Sequence, residues 1–211
     1  MLLLSEARDL HVLDFDIENR PLSYWMDDRP TAEITAIASC WVDDLSSMEV
    51  LLLEPDDDGP RAILERFVAR YNMADMVTGH YIRKHDLPII NGALYELDMP
   101  LLTAKLTCDT KLDMFSKADV PATQEFLLET LHVKDVYGKQ LTKYHMSQTD
   151  WREANRLGAG REKTRERVAS DVYDHIHLRQ AMLDRGMLRP PRMWNPGGGS
   201  ATPGHHGPGI G

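Results

Sequence analysis

Polar and apolar residues alternate between His11 and Glu18, where Val12, Leu13, Phe15 and Ile17 are the apolar positions. That period of two predicts a strand over about 10–18. Segments rich in β-branched and aliphatic residues predict strands over 31–42, 48–53, 75–79 and about 104–109. Between them the period lengthens. Ile63, Phe67 and Tyr71 share one side of a predicted helix over 62–71, and Leu87, Ile90, Leu94 and Leu97 do the same for a helix over 87–97. A long helix is predicted from about Arg161 to Arg185, with Val168, Val172, Ile176 and Met182 or Leu183 as its apolar stripe. Residues 132–160 are polar and carry Gly138, Gly158 and Gly160. Within them Ser147 or Thr149 can cap a short helix. From Arg189 onward, Pro, Gly and His dominate, which predicts a disordered tail. The expected organisation is one α/β domain over 1–188 and a tail over 189–211. No segment repeats.

Three of these elements carry acids in positions that matter. Side chains alternate along a strand, so Asp16 and Glu18 share the face opposite Phe15 and Ile17. Two carboxylates on one face repel each other and favour a bound cation, and hard ions such as Mg²⁺ and Mn²⁺ prefer oxygen ligands. Asp14 lies on the same face, so the strand alone leaves open which two would be ligands. An isolated pair of this kind equally suits a solvated strand edge. Asp86 opens the helix after Gly79 and is either a ligand or an N-cap, with Pro88 suited to the first turn. Asp171 borders the apolar stripe of the long helix. Arg167, Asp171 and His175 line up there at i, i+4 and i+8, which also fits an ordinary Arg–Asp pair.

In order and context these elements resemble the DEDD (DnaQ-like) superfamily of 3′–5′ exonucleases, most closely in the style of the proofreading domains of B-family DNA polymerases. FDIE resembles the first exonuclease motif, GHYIRKHDLPII the second, and RVASDVYDHIHL the third. CysAspThr at 108–110 and the segment 123–131 resemble the family's connecting strand and short helix. The resemblance covers roughly residues 10–185. It implies an RNase H-like α/β fold, a mixed five-stranded sheet flanked by helices. It also implies metal-dependent hydrolysis of phosphodiesters at nucleic-acid 3′ ends, with two Mg²⁺ or Mn²⁺ held by Asp16, Glu18, Asp86 and Asp171. In that scheme Asp16 bridges both ions, Glu18 and Asp171 complete one site, and Asp86 holds the second ion through water.

The chain departs from the family pattern in three places. Tyr81 stands where the second motif has Asn, and His85 where it has an aromatic residue just before its Asp. Arg167 stands where the third motif has the Tyr or His that orients or deprotonates the attacking water. Arginine cannot act as a base, because it does not lose its proton in proteins. His175 is the candidate base in its place. The alternatives are a different helix register, activation by metal alone, and weak or lost activity.

The net charge of −9 argues against tight sequence-specific binding of long duplexes, since phosphate binders are usually basic. An acidic enzyme can still grip a short 3′ end locally, and the expected partner is such an end, single-stranded or frayed, with DNA favoured over RNA. Arg83, Lys84 and Arg167 are the candidate contacts to it, and Tyr144, His145 and Trp151 could stack on bases. His205 and His206 in the tail could bind metal adventitiously, and the tail could meet a replication protein. No apolar run approaches membrane-spanning length, and MetLeuLeuLeu lacks the basic flank of a signal peptide. Cys40 and Cys108 read as buried reduced thiols of a cytoplasmic protein. The expected function is thus a stand-alone 3′–5′ exonuclease of phage-like or bacterial replication or repair. The alternative is an impaired RNase H-like module that binds nucleic acid or a replication protein.

Overall fold

The computed structural model describes residues 10–21, 32–57, 59–115, 121–154 and 160–197. The opening MetLeuLeuLeu, Gly158 and the tail beyond residue 197, with His205 and His206, lie outside these. Strand β1 (Val12–Pro21) is the centre of the architecture. It pairs antiparallel with β2 (Ala32–Trp41), which pairs antiparallel with β3 (Asp44–Leu52). On its other side β1 runs parallel to β4 (Met76–Gly79), and β4 parallel to β5 (Lys105–Asp109). The sheet order is β3-β2-β1-β4-β5-β6. The sheet therefore has six strands rather than the expected five. The sixth, β6 (Arg192–Trp194), pairs antiparallel with β5 and takes residues that the sequence pattern put in the tail.

The alternation of β1 divides the sheet into two chemically different faces. Leu13, Phe15 and Ile17 pack with Leu64, Phe67 and Tyr71 of α1 (Arg61–Met73) and with Leu87, Ile90 and Leu94 of α2 (Asp86–Glu96). The stripes read from the sequence are those buried here, apart from Leu97, which is only partly buried at the end of α2. Asp14, Asp16 and Glu18 take the opposite face, which α5 (Arg161–Asp184) covers. Small residues let the long helix lie close to the sheet: Ala36, Ala38 and Cys40 of β2 meet Val168, Val172 and Ile176. A third apolar cluster joins the far part of α5, through Leu178 and Met182, to Met76, Cys108, and Leu127 and Leu128 of α3 (Gln124–Thr130). Cys40 and Cys108 are both buried and unpaired. Among the described residues no helix is long and apolar enough to cross a membrane.

Two local features aim the acidic face. The β1–β2 register shifts between Glu18 and Asn19, a bulge immediately after the acidic run. Gly79 ends β4 where a Cβ atom would lie 2.6 Å from the Ile82 side chain and 2.8 Å from the Phe15 carbonyl oxygen. Only glycine lets the chain pass β1 this closely before turning into α2. The turn itself places Tyr81 at φ 75, a left-handed conformation that asparagine tolerates better than tyrosine. Asp109 holds it there, accepting hydrogen bonds from the Tyr81 N–H at 3.0 Å and the Arg83 N–H at 3.1 Å.

Candidate metal centre

Asp16 and Glu18 from β1 meet Asp171 from α5, and one carboxylate oxygen of each lies within 4.8 Å of the others. The strand supplies two acids two residues apart on one face, and the helix supplies the third from the edge of its apolar stripe. Asp86 approaches from α2. It is the first helical residue rather than the cap: His85 is the N-cap and makes no side-chain capping bond. Asp86 is buried, and its Oδ1 has no hydrogen-bond partner. Its charge acts on both Asp14 and Asp16, although it stands outside the group of three. Asp171 is also buried, with its Oδ1 unpartnered.

Burial shifts Asp16, Glu18 and Asp171 upward. Burial lifts the Asp16 carboxyl well above its ordinary range, and Asp86, Asp171 and Glu18 push it further. Burial raises Glu18 to about 7 against the opposing pull of Arg167. Asp171 is raised by burial, with Lys143 and Arg167 working the other way. Such a cluster is short of positive charge. Oxygen-only donors with orphaned buried atoms fit a hard divalent cation.

Two basic side chains already reach into the cluster. Arg167 Nη2 lies 2.9 Å from Asp171 Oδ2, and Arg167 Nε lies 3.4 Å from Glu18 Oε1. Its Nη1 donates to the Tyr144 carbonyl. Lys143 Nζ lies 3.5 Å from Asp171 Oδ2 and donates to Gln124 Oε1 at 2.5 Å, while Gln124 Nε2 donates to the Asp171 carbonyl at 3.4 Å. Arg167 was expected from the sequence as a nucleic-acid contact, and Lys143 and Gln124 were not expected here at all. Lys143 comes from the irregular segment before α4 (Gln148–Ala154), where no periodicity marks its direction.

These features sit on a fold that recurs elsewhere. The family B DNA polymerase from the hyperthermophilic archaeon Pyrobaculum calidifontis is similar in structure, with a TM-score of 0.59 and 21% identity over 82% of this chain and 24% of that chain. The likeness shows the fold, which is RNase H-like. This chain spans about a quarter of that polymerase's length. No family model matches the sequence, and no curated protein matches it.

His175 is buried, with its Nδ1 3.4 Å from Asp14 Oδ1 and its ring 6.0 Å from that of His80. Burial holds His175 well below its ordinary range and His80 at about 4, so both rings are neutral near pH 7. His175 thus faces Asp14 rather than the Asp16–Glu18–Asp171 group. Arg83 forms a two-pronged pair with buried Asp113, at 2.8 and 2.6 Å. Lys84 is exposed and lines an open cavity of about 270 Å³ with His85, Pro88 and Glu96. Tyr144 Oη hydrogen-bonds Glu166 at 3.0 Å, and His145 Nε2 lies 3.0 Å from Glu125. Ser147, not Thr149, caps α4, accepting from the Asp150 N–H at 3.2 Å.

Asp174, one turn beyond Asp171, gives a prediction of its own. It is buried, its Oδ2 has no partner, and burial raises its carboxyl to about 7, with Asp171 adding to the shift. A raised folded-state pKa contributes stability below the unfolded value of 3.8, and that contribution is lost as pH rises through about 7. Asp174→Asn removes the charge that must be buried at high pH. In EDTA at pH 8 the variant is expected to be more stable than wild type by about 2–4 kcal/mol, with the gain disappearing near pH 4. Urea denaturation at both pH values measures it, and a difference that ignores pH would contradict the assignment.

Proposed function

We propose that this chain is a metal-dependent 3′–5′ exonuclease. The observation that carries the reading is the convergence of Asp16, Glu18 and Asp171, with Asp86 beside them, on one face of an RNase H-like sheet, where buried carboxylate oxygens remain unpartnered. Asp16, Glu18 and Asp171 would hold a divalent cation, with Asp86 as the further donor. When bound, such an ion polarises the phosphodiester and supplies a nucleophilic water near neutral pH.

The chain's own residues set the rest. Asp16 shares its strand face with Glu18 and is met by Asp171 from α5, and it is assigned as the central ligand. Arg167 presents a planar guanidinium at the Glu18 side of the cluster, where it suits a phosphate oxygen. It cannot take a proton from water. His175, buried against Asp14, does not lie in the carboxylate group and serves better as a support for β1 than as a base. The substrate read most directly is a DNA 3′ end. The similarity to a DNA polymerase supports DNA over RNA, and the acidic surface supports a short terminus over a long duplex.

Arg167 also favours a second reading. Its guanidinium is paired with two of the ligand carboxylates, so the module could bind nucleic acid without cutting it. A degradation assay separates the two. With 5′-labelled single-stranded DNA, RNA and 3′-mismatched duplex, a ladder shortening from the 3′ end in Mg²⁺ or Mn²⁺ and absent in EDTA is expected. A folded protein that cuts none of these substrates in either metal would leave the binding module.

A further inference from the structure

We infer that the carboxylate cluster takes one divalent cation, and that Arg167 and Lys143 supply as fixed charge what a second cation would supply. This rests on the reading of the cluster as a metal centre. Asp171 Oδ2 is approached by both Arg167 and Lys143, and Glu18 Oε1 by Arg167. Asp171 Oδ1 and Asp86 Oδ1 are buried and have no partner. One part of the cluster is therefore already neutralised by side chains, and another part is not.

The two cations are built in rather than passing. Arg167 is 13% exposed, and it is tied at once to Glu18, Asp171 and the Tyr144 carbonyl. A guanidinium keeps its proton in proteins, so this charge is permanent. Lys143 is clamped by Gln124, whose amide also grips the backbone of Asp171. Moving either cation aside would leave buried acceptors unmatched.

Charge balance then limits occupancy. Asp14 is offset by Arg179 and faces His175, and burial keeps Asp174 protonated up to about pH 7, so the balance lies between Asp16, Glu18, Asp86 and Asp171 on one side and Arg167 and Lys143 on the other: two negative charges, which one divalent ion neutralises. A second ion would place excess positive charge in a largely desolvated cleft, which is costly. Among the four assigned ligands, the buried oxygens left unpartnered for the single ion are Asp86 Oδ1 and Asp171 Oδ1. The guanidinium lies at the Glu18 side of the cluster, 3.4 Å from Glu18 Oε1, and can meet the phosphate directly.

Counting bound Mn²⁺ tests this without reference to activity. Full-length protein is titrated with Mn²⁺ and the free ion read by electron paramagnetic resonance, and the sites counted are those that Asp16→Ala removes. Wild type is expected to hold one ion per chain and the Arg167→Met/Lys143→Met double variant two. Two ions in wild type would overturn the inference whatever the variants do. So would a single ion in a folded double variant. If that variant does not fold, Arg167→Gln replaces it, with a second ion expected and its absence counting against the inference. No Asp16-dependent Mn²⁺ in any of these proteins would remove the metal centre itself, and the proposed exonuclease with it.

Discussion

Asp16→Ala is expected to reduce 3′-end cleavage by at least about a thousandfold, because a bound metal contributes several kcal/mol of transition-state stabilisation and its central ligand would be gone. The same variant is expected to keep its fold. Asp16 points away from Leu13, Phe15 and Ile17, which pack against α1 and α2 on the other face of the sheet. Its carboxyl is crowded by Asp86, Asp171 and Glu18, so its removal relieves repulsion in the metal-free protein. The expected pattern is a Tm in EDTA equal to or above that of wild type, together with loss of the increase that Mn²⁺ gives to wild type. Cleavage at the wild-type rate by this variant would sink the assignment of the cluster.

How the sequence announces such a site differs from element to element. Asp16 and Glu18 were legible because alternation fixes both their common face and its opposite, once Phe15 and Ile17 are taken as core. Asp171 was legible as a residue on the edge of a stripe. The stripe did not reveal how much of α5 is enclosed. Asp174, His175 and Arg179 are buried as well, and hydrophilic residues leave no trace in a hydrophobic pattern. His175, for one, is enclosed by Asp14 of β1 and by His80, both distant in sequence. Strand β6 escaped for a different reason. It is three residues long, sits among prolines and glycines, and owes its conformation to the exposed edge of β5 rather than to its own alternation. Lys143 is the clearest case of information absent from local pattern. It lies in a segment without periodicity, and its direction is set by Gln124 on α3 and Asp171 on α5.

Arg83 shows how a charge beside a motif can mislead, and it yields the largest expected loss of stability. Next to Asp86 it reads as a hand for phosphate. In the structure its guanidinium is committed to Asp113, whose carboxylate is fully buried. That carboxylate also accepts the Asp109 N–H at 2.9 Å, and Asp109 in turn fixes the strained turn at Tyr81. The pair therefore ties the approach to α2 to the end of β5. Arg83→Ala would leave Asp113 as a buried charge with only the half-exposed Arg192, 3.7 Å away, to offset it. Breaking a buried pair from one side costs about 3–5 kcal/mol, and the remaining Arg192 places this case near the lower end. The expected result is a loss of about 3 kcal/mol in denaturant unfolding and a fall in Tm of about 6–12 °C. Adding Asp113→Asn should recover a substantial part of it, because the uncompensated charge disappears along with its partner. Wild-type stability in the single variant, with weaker binding of a DNA 3′ end, would return Arg83 to the role of a phosphate contact.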